Sequence, residues 1–256
     1  MEAASNTNVQ NPYEKVVKVC GLGLSELREQ LADMLTATRE ESFQLTPTLA
    51  GVDILVSAPD ALNKESRDRV KGIVRELKVR LGSYIYTTDP EMTLEEHVVA
   101  LLKEQKMTMT TVESCTGGMV SAKITDVPGS SQVFKFGFVT YSNRAKRKLV
   151  NVRKKTLKSF TAVSAQTAEE MAKGGAEKSE SDACLSVTGY AGPEAGENGE
   201  QPGLVYIGCC VRGDVSVEEH HFQGDRRSIR EQATVSALVF LRKCILEHYE
   251  IPRNQG

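Results

Sequence analysis

Between Glu113 and Gly118 the chain reads E-S-C-T-G-G, which sets a hydroxyl (Ser114) beside a thiol (Cys115), then Thr116 and two glycines, Gly117 and Gly118. Both groups are nucleophiles of acyl transfer, but a hydroxyl attacks only when a base takes its proton. The glycines leave main-chain N–H groups uncovered at a strand-to-helix turn, which is what an oxyanion or a phosphate requires. The spacing matches neither G-x-S-x-G nor a Walker loop. A Ser/Thr-capped helix with a tight glycine turn explains the same residues, so the motif alone leaves catalysis open.

A base has to come from elsewhere. The histidines, His97, His220, His221 and His248, fall outside the strand-end loops and read as surface imidazoles, so a Ser-His triad is not expected. The stretch F-V-T-Y-S-N-R-A-K runs off a strand and brings Tyr141, Ser142, Asn143 and Lys146 to the same rim. A lysine sheltered from water can lose its proton near neutral pH and accept one from serine. Lys146 is followed by Arg147 and Lys148, so a solvated basic face is the competing reading. In S-V-T-G-Y-A-G-P, Thr188, Gly189 and Gly192 form a backbone-rich loop suited to close ligand approach. In G-D-R-R-S-I-R, Asp225 and Ser228 can cap the last helix while Arg226, Arg227 and Arg230 crowd its first turn. Cations there oppose the helix dipole. A bound phosphate would explain them, and so would pairing with nearby acids or solvent.

The elements that position these residues alternate. Val16 to Cys20 is strand-like, Leu24 to Leu35 has helical spacing, Thr48 to Ser57 is a strand, and a helix begins at Pro59–Asp60 and stops at Gly82. S-Y-I-Y-T closes this β-α-β-α-β unit. Thr93 and Glu96 make a capping box for the next helix. Strand and helix then alternate through Met107, the 119 region, F-K-F-G-F-V, R-A-K-R-K-L-V and Ala165–Lys178 to D-A-C-L-S-V-T. The hairpin G-L-V-Y-I-G-C-C-V / V-S-V-E-E-H-H-F and a helix from Arg226 to about Leu246 finish the pattern. The expected class is α/β: a three-layer α/β/α C-terminal domain over residues 90–250, preceded by a small α+β domain over 14–89 and a disordered tail over 1–13.

The totals set limits. With 256 residues, 40% hydrophobic, 26% charged and a net charge of −2, the chain is not built chiefly to neutralise nucleic acid or anionic lipid. It has no secretory h-region and no apolar run of membrane-spanning length. Its six cysteines avoid CxxC spacing and read as buried free thiols in a reducing cytoplasm. A cytoplasmic protein without metal or cofactor is expected.

Taken in order, E-S-C-T-G-G, T-D-V-P-G-S-S, F-G-F-V-T-Y-S-N-x-A-K, A-V-S, V-T-G-Y-A-G-P and G-D-R-x-x-I-R resemble the C-terminal domain of the CinA (competence/damage-inducible) family, from about Leu94 to Leu246. That domain also occurs alone as nicotinamide-nucleotide amidase. Residues from about Val16 to Asp89, notably R-L-G-S-Y-I-Y, are similar to the family's KH-like middle domain. The family's N-terminal molybdopterin-binding-like domain has no counterpart in these residues. The resemblance implies hydrolysis of the carboxamide of nicotinamide mononucleotide to nicotinate mononucleotide and ammonia, without metal. It implies Ser114 as nucleophile, Lys146 as base and Tyr141 as a third site residue. The amides around Thr116, Gly117 and Gly118 would hold the oxyanion, Asn143, Thr188, Gly189 and Gly192 would border the substrate, and Arg226 and Arg230 would take its phosphate. Cys115 would be a packing residue.

The chain departs from the family's usual pattern at Val112, where alanine is usual, and after A-G-P. There E-A-G-E-N-G-E-Q-P-G replaces a loop ending K-P-V-G, with Gln201 for a lysine. Substrate affinity or identity is where those departures would act. A nucleotide-binding regulatory protein without turnover is the alternative function. A nucleic-acid adaptor is not expected, because the first 90 residues hold no G-x-x-G loop between helices. The expected partners are a small nucleotide and a second copy of the chain, in a dimer or higher oligomer.

Overall fold

The structure, a computed structural model, describes residues 12–37, 42–196 and 199–249. It divides into two compact units at Met92/Thr93.

In the first unit, β1 (Tyr13–Cys20), β2 (Ser42–Pro47), β3 (Gly51–Ala58) and β4 (Ile85–Thr87) form an antiparallel sheet in the order β2-β3-β1-β4. Val17 and Val19 of β1, Val52, Ile54 and Val56 of β3, and Val70, Leu77 and Leu81 of α3 (Lys64–Leu81) close its core. Strict alternation of buried and half-buried positions along β3 marks a strand with one face on that core. Four expectations need correction. The V-D-I-L-V read within 48–57 lies in β3, but residues 48–50 are a turn, with Thr48 N–H donating to Gly51 O across it, and the strand β2 ahead of that turn was not expected. The stripe over 24–35 is two short helices, α1 (Leu24–Gln30) and α2 (Ala32–Ala37), broken at Leu31. Helix α3 begins not at Asp60 but at Lys64, because Asp60 Oδ1 accepts from Leu62 N in a local turn while Asn63 Oδ1 accepts from Glu65 N and Ser66 N. Tyr13, expected in the tail, already opens β1; residues 1–11 of that tail lie outside the described residues.

The second unit carries a sheet in the order β6-β5-β7-β8-β9, from β5 (Met109–Glu113), β6 (Phe134–Val139), β7 (Ala183–Gly189), β8 (Leu204–Val211) and β9 (Asp214–His221). Strands β6, β5 and β7 run parallel; β8 and β9 are antiparallel additions. Helix α8 (Ala165–Ser179) covers one face, with α6 (Asn143–Val150) and α7 (Lys154–Phe160) packed on it. Helices α4 (Leu94–Glu104), α5 (Met119–Thr125) and α9 (Arg226–His248) form the other layer. Adjacent cysteines on β8 show the two faces: Cys210 joins the cluster of Met171 and Ala172 on α8, while the free thiol of Cys209 meets that of Cys244 on α9 in a hydrogen bond. The expected three-layer α/β/α architecture is present. Helix α7 was not expected: of the two apolar residues in K-K-T-L-K-S-F, only Leu157 packs on the core, with the buried Thr156 beside it, while Phe160 is about half exposed.

Two glycines inside α8 set how closely the layers meet. A Cβ at Gly174 would collide with the carbonyl of Val150 at the end of α6, and one at Gly175 with Val112 and Cys184. Glycine in a helix interior costs about 1 kcal/mol relative to alanine. Close approach of α6 and β5 to α8 is what that cost permits.

Candidate active site

Strand β5 is buried throughout. It ends with two cross-strand bonds, Thr140 N–H to Glu113 O (2.7 Å) and Ser114 N–H to Val187 O (2.9 Å). Ser114 therefore sits at the carboxyl end of a central parallel strand, the place where ligands reach open α/β sheets. The chain then turns through Gly117 (φ 62°) and Gly118 (φ 101°), conformations that disfavour any side chain, and enters α5.

The amides of that turn are not open, as the motif suggested. Gly117 N–H donates to Ser114 O, and Gly118 N–H donates to Glu113 Oε2 at 2.8 Å. Val120 N–H (3.1 Å) shares Glu113 Oε2, and Ser121 N–H (2.8 Å) and Oγ–H (2.7 Å) donate to Oε1. The chain's own carboxylate, fully buried, occupies the anion position at the start of α5. Gly117 and Gly118 shape the turn and offer no N–H to an oxyanion. The amides of Cys115 and Thr116 meet no main-chain acceptor among the described residues. Thr116 Oγ1 is buried there without a hydrogen-bond partner.

Lys146 lies on the inner side of α6, one turn from its Ser142 cap, whose Oγ accepts from Ala145 N–H at 3.1 Å. Arg147 and Lys148 point to solvent, whereas Lys146 is 1% exposed, so the solvated-face reading fails for this residue. Its Nζ donates to Ser114 Oγ and to Thr140 O, both at 2.9 Å. No acid pairs with it among the described residues. Burial without a counter-ion lowers its pKa from 10.5 to about 8. Burial acts on Cys115 in the opposite sense and pushes the thiol up to about 12, so little thiolate exists at neutral pH.

Of the remaining candidates, Tyr141, Gly189, Gly192 and Arg226 line a cleft of about 490 Å³ formed with the rest of residues 189–195, and Asn143, Thr188 and Arg230 do not. Arg226 Nη1 donates to Gly192 O (2.7 Å) and Nη2 to Tyr141 Oη (3.0 Å), which ties strand end, loop and helix start together. Tyr141 is 63% exposed and does not touch the Ser114–Lys146 pair through any hydrogen bond of the described residues. Gly189 has no room for a Cβ against Val205, and Thr188 Oγ1 donates to Ala162 O at 2.7 Å; its hydroxyl serves the scaffold. Asn143 is exposed at the start of α6. Arg230 spans the nucleophile turn instead of the cleft: Nε donates to Cys115 O (2.9 Å) and Nη2 to Thr116 O (2.8 Å). Arg227 pairs with Glu231, so the crowded first turn of α9 is explained largely by internal partners. Among the histidines, the surface reading fails for His97, which accepts from Arg242 Nε at 3.1 Å and is driven to a pKa of about 4 by burial and then by that cation. Sequence reasoning missed Glu113; its signal was a carboxylate at a strand end, directly ahead of a glycine turn into a helix.

Residues 91–245 match the CinA C-terminal domain family, and residues 14–87 the KH domain of damage-inducible protein CinA. The chain belongs to the CinA family. A CinA-like protein of Dictyoglomus turgidum is 42% identical over 240 residues, 91% of this chain and 57% of that protein. This chain thus spans little more than half the length of the curated relatives it matches. Among solved structures, a CinA superfamily protein from Klebsiella pneumoniae is 32% identical with a TM-score of 0.59, covering 60% of this chain and 96% of its own. The competence/damage-inducible protein of Agrobacterium tumefaciens is 36% identical with a TM-score of 0.57, covering 59% and 93%. The KH-like character of the small unit follows from its family match. No helix among the described residues is long and apolar enough to cross a membrane.

Proposed function

We propose that the second unit is an amidohydrolase of the Ser-Lys type acting on nicotinamide mononucleotide. One observation carries the reading: a buried lysine, without a counter-ion among the described residues, hydrogen-bonded to a serine at a strand end, Nζ to Oγ 2.9 Å. With a pKa of about 8, roughly a tenth of Lys146 is neutral at pH 7, enough to serve as a base. Neutral Lys146 takes the Ser114 proton as Oγ adds to the carboxamide carbon. The amides of Cys115 and Thr116, which meet no main-chain acceptor among the described residues, are the candidate donors for the oxyanion. The new ammonium of Lys146 gives its proton to the departing nitrogen, releasing ammonia and leaving an ester on Ser114. Water, deprotonated by the same lysine, hydrolyses the ester and frees nicotinate mononucleotide. The cleft beside Arg226 and Tyr141 has the volume of a small-molecule site, and Arg226 is the phosphate ligand within it. Arg230, occupied by the turn, acts on Ser114's geometry instead.

Ammonia release from the purified protein, given the mononucleotide, free nicotinamide or the full dinucleotide, tests this. Release from the mononucleotide alone is expected. No release from any of them, with the mononucleotide still raising the melting temperature, would replace the enzyme with a nucleotide-binding regulator. The site needs no second copy in this scheme; a dimer remains our proposal for the assembly, and sedimentation giving only the monomer mass would overturn it.

A further inference from the structure

We infer that Glu113 is a positioning residue for Ser114: its buried carboxylate is a built-in anion that clamps both ends of the nucleophile turn. The main chain of Glu113 is fixed at the strand end by Thr140 N–H, and its side chain reaches forward to the first turn of α5. The loop Ser114–Gly118 is therefore closed on itself by one residue. Both carboxylate oxygens are engaged, by three main-chain N–H groups and the Ser121 hydroxyl, and Ser121 Oγ meets Thr111 Oγ1 at 2.7 Å. Each hydrogen-bond partner of the carboxylate among the described residues is a donor, and Ser121 Oγ, having given its hydrogen to Oε1, accepts from Thr111 Oγ1. Only an acceptor at both oxygens satisfies them. Glutamine keeps the shape but turns an NH₂ toward amide hydrogens, which breaks the clamp on one side. A helix of seven residues holds the turn weakly by itself. Removing the clamp lets Ser114 leave the 2.9 Å register with Lys146, and a displacement of 1 Å at a reacting atom costs about 100-fold in rate.

The inference rests on the Ser114–Lys146 reading, so its test uses serine reactivity and needs no substrate. The full chain and its Glu113→Gln variant are treated with a fluorophosphonate probe, and Ser114 modification is followed by mass spectrometry against pH. Thr110→Val is the comparator: it removes a different buried polar group of β5, a hydroxyl bonded to Phe136 O at 2.6 Å. We expect Glu113→Gln to label about 10- to 100-fold more slowly, with the midpoint of the pH profile unmoved, and Thr110→Val to label like wild type. A profile that shifts toward the ordinary lysine value of 10.5 would mean that the variant has merely opened the site to water, and would overturn positioning. So would wild-type labelling in Glu113→Gln, which leaves the Ser-Lys reading intact. If Glu113→Gln fails to fold, Ser121→Ala, which removes one donor to the carboxylate, is expected to slow labelling several-fold, and a wild-type rate there overturns the inference. An unlabelled wild-type Ser114 would sink the Ser-Lys reading and this inference with it.

Discussion

Replacing Lys146 by methionine is expected to make the protein more stable at neutral pH while ending its activity. The side chain is 1% exposed, and burial lowers its pKa from 10.5 to about 8. At about 1.4 kcal/mol per pH unit, the gap between those values means that keeping Lys146 protonated costs the fold about 3 kcal/mol at pH 7. Methionine fills similar space without charge, but leaves Ser114 Oγ and Thr140 O without their donor, about 1 kcal/mol each. The net gain is about 1 kcal/mol, or about 2–4 °C for a unit of this size. The sign depends on pH. A lysine whose folded pKa is depressed destabilises most where it is charged in both states, below about 8, and the penalty fades between about 8 and 10.5 as the folded form loses its proton first. The two stability curves should cross near pH 9, with methionine the weaker above it. Urea melts of both chains at pH 7, 8.5 and 10, read on the larger unit, measure this. A variant less stable than wild type at pH 7, or a difference that does not change with pH, would refute the argument that Lys146 is a desolvated charge.

Four more outcomes follow from the same geometry. Ser114→Ala should abolish ammonia release while Cys115→Ala retains most of it, since burial holds the Cys115 thiol protonated; full activity in Ser114→Ala would sink the mechanism. Turnover should rise with pH to a plateau with its midpoint near 8, the pH at which Lys146 loses its proton, and a profile flat from pH 6 to 10 would remove lysine as the base. Arg226→Ala should raise KM for the mononucleotide about tenfold at similar kcat, whereas Arg230→Ala should lower kcat, because the first lines the cleft and the second holds the Cys115 and Thr116 carbonyls. Gly174→Ala should destabilise the larger unit by about 3 kcal/mol in thermal melts, as its Cβ would meet the Val150 carbonyl, which a rigid helix end cannot withdraw.

What the sequence revealed, and what it hid, divides by the range of the interactions involved. The Thr93–Glu96 capping box was readable because cap and partner are three residues apart, and both of its bonds form. The β8–β9 hairpin was readable from its alternation, and the α/β/α layering from alternating periods. Strand β2 escaped because only Phe43 and Leu45 mark its inner face, both half-buried, and α7 because a single Leu157 carries its apolar stripe. The burial of Lys146 could not be read from K-R-K: the buried pair Lys146 and Val150 is a four-residue rhythm that a charge at the first position conceals. Glu113 was hidden for another reason. A carboxylate at the end of a strand reads as solvent-facing, and only the folded turn shows that three amides converge on it.

The bond from Lys146 Nζ back to Thr140 O, six positions earlier, closes a ring from the end of β6 into the first turn of α6. The base is thereby referenced to the strand that precedes it, and the number of residues between the two matters more than their identity. One residue added or removed between Thr140 and Lys146 would rotate the lysine by about 100° around α6 and carry its nitrogen away from Ser114. Arg144 and Ala145 should therefore accept substitution readily, while the segment that holds them should accept no change in length. Insertions and deletions, which surface loops ordinarily absorb, are the variation this turn excludes.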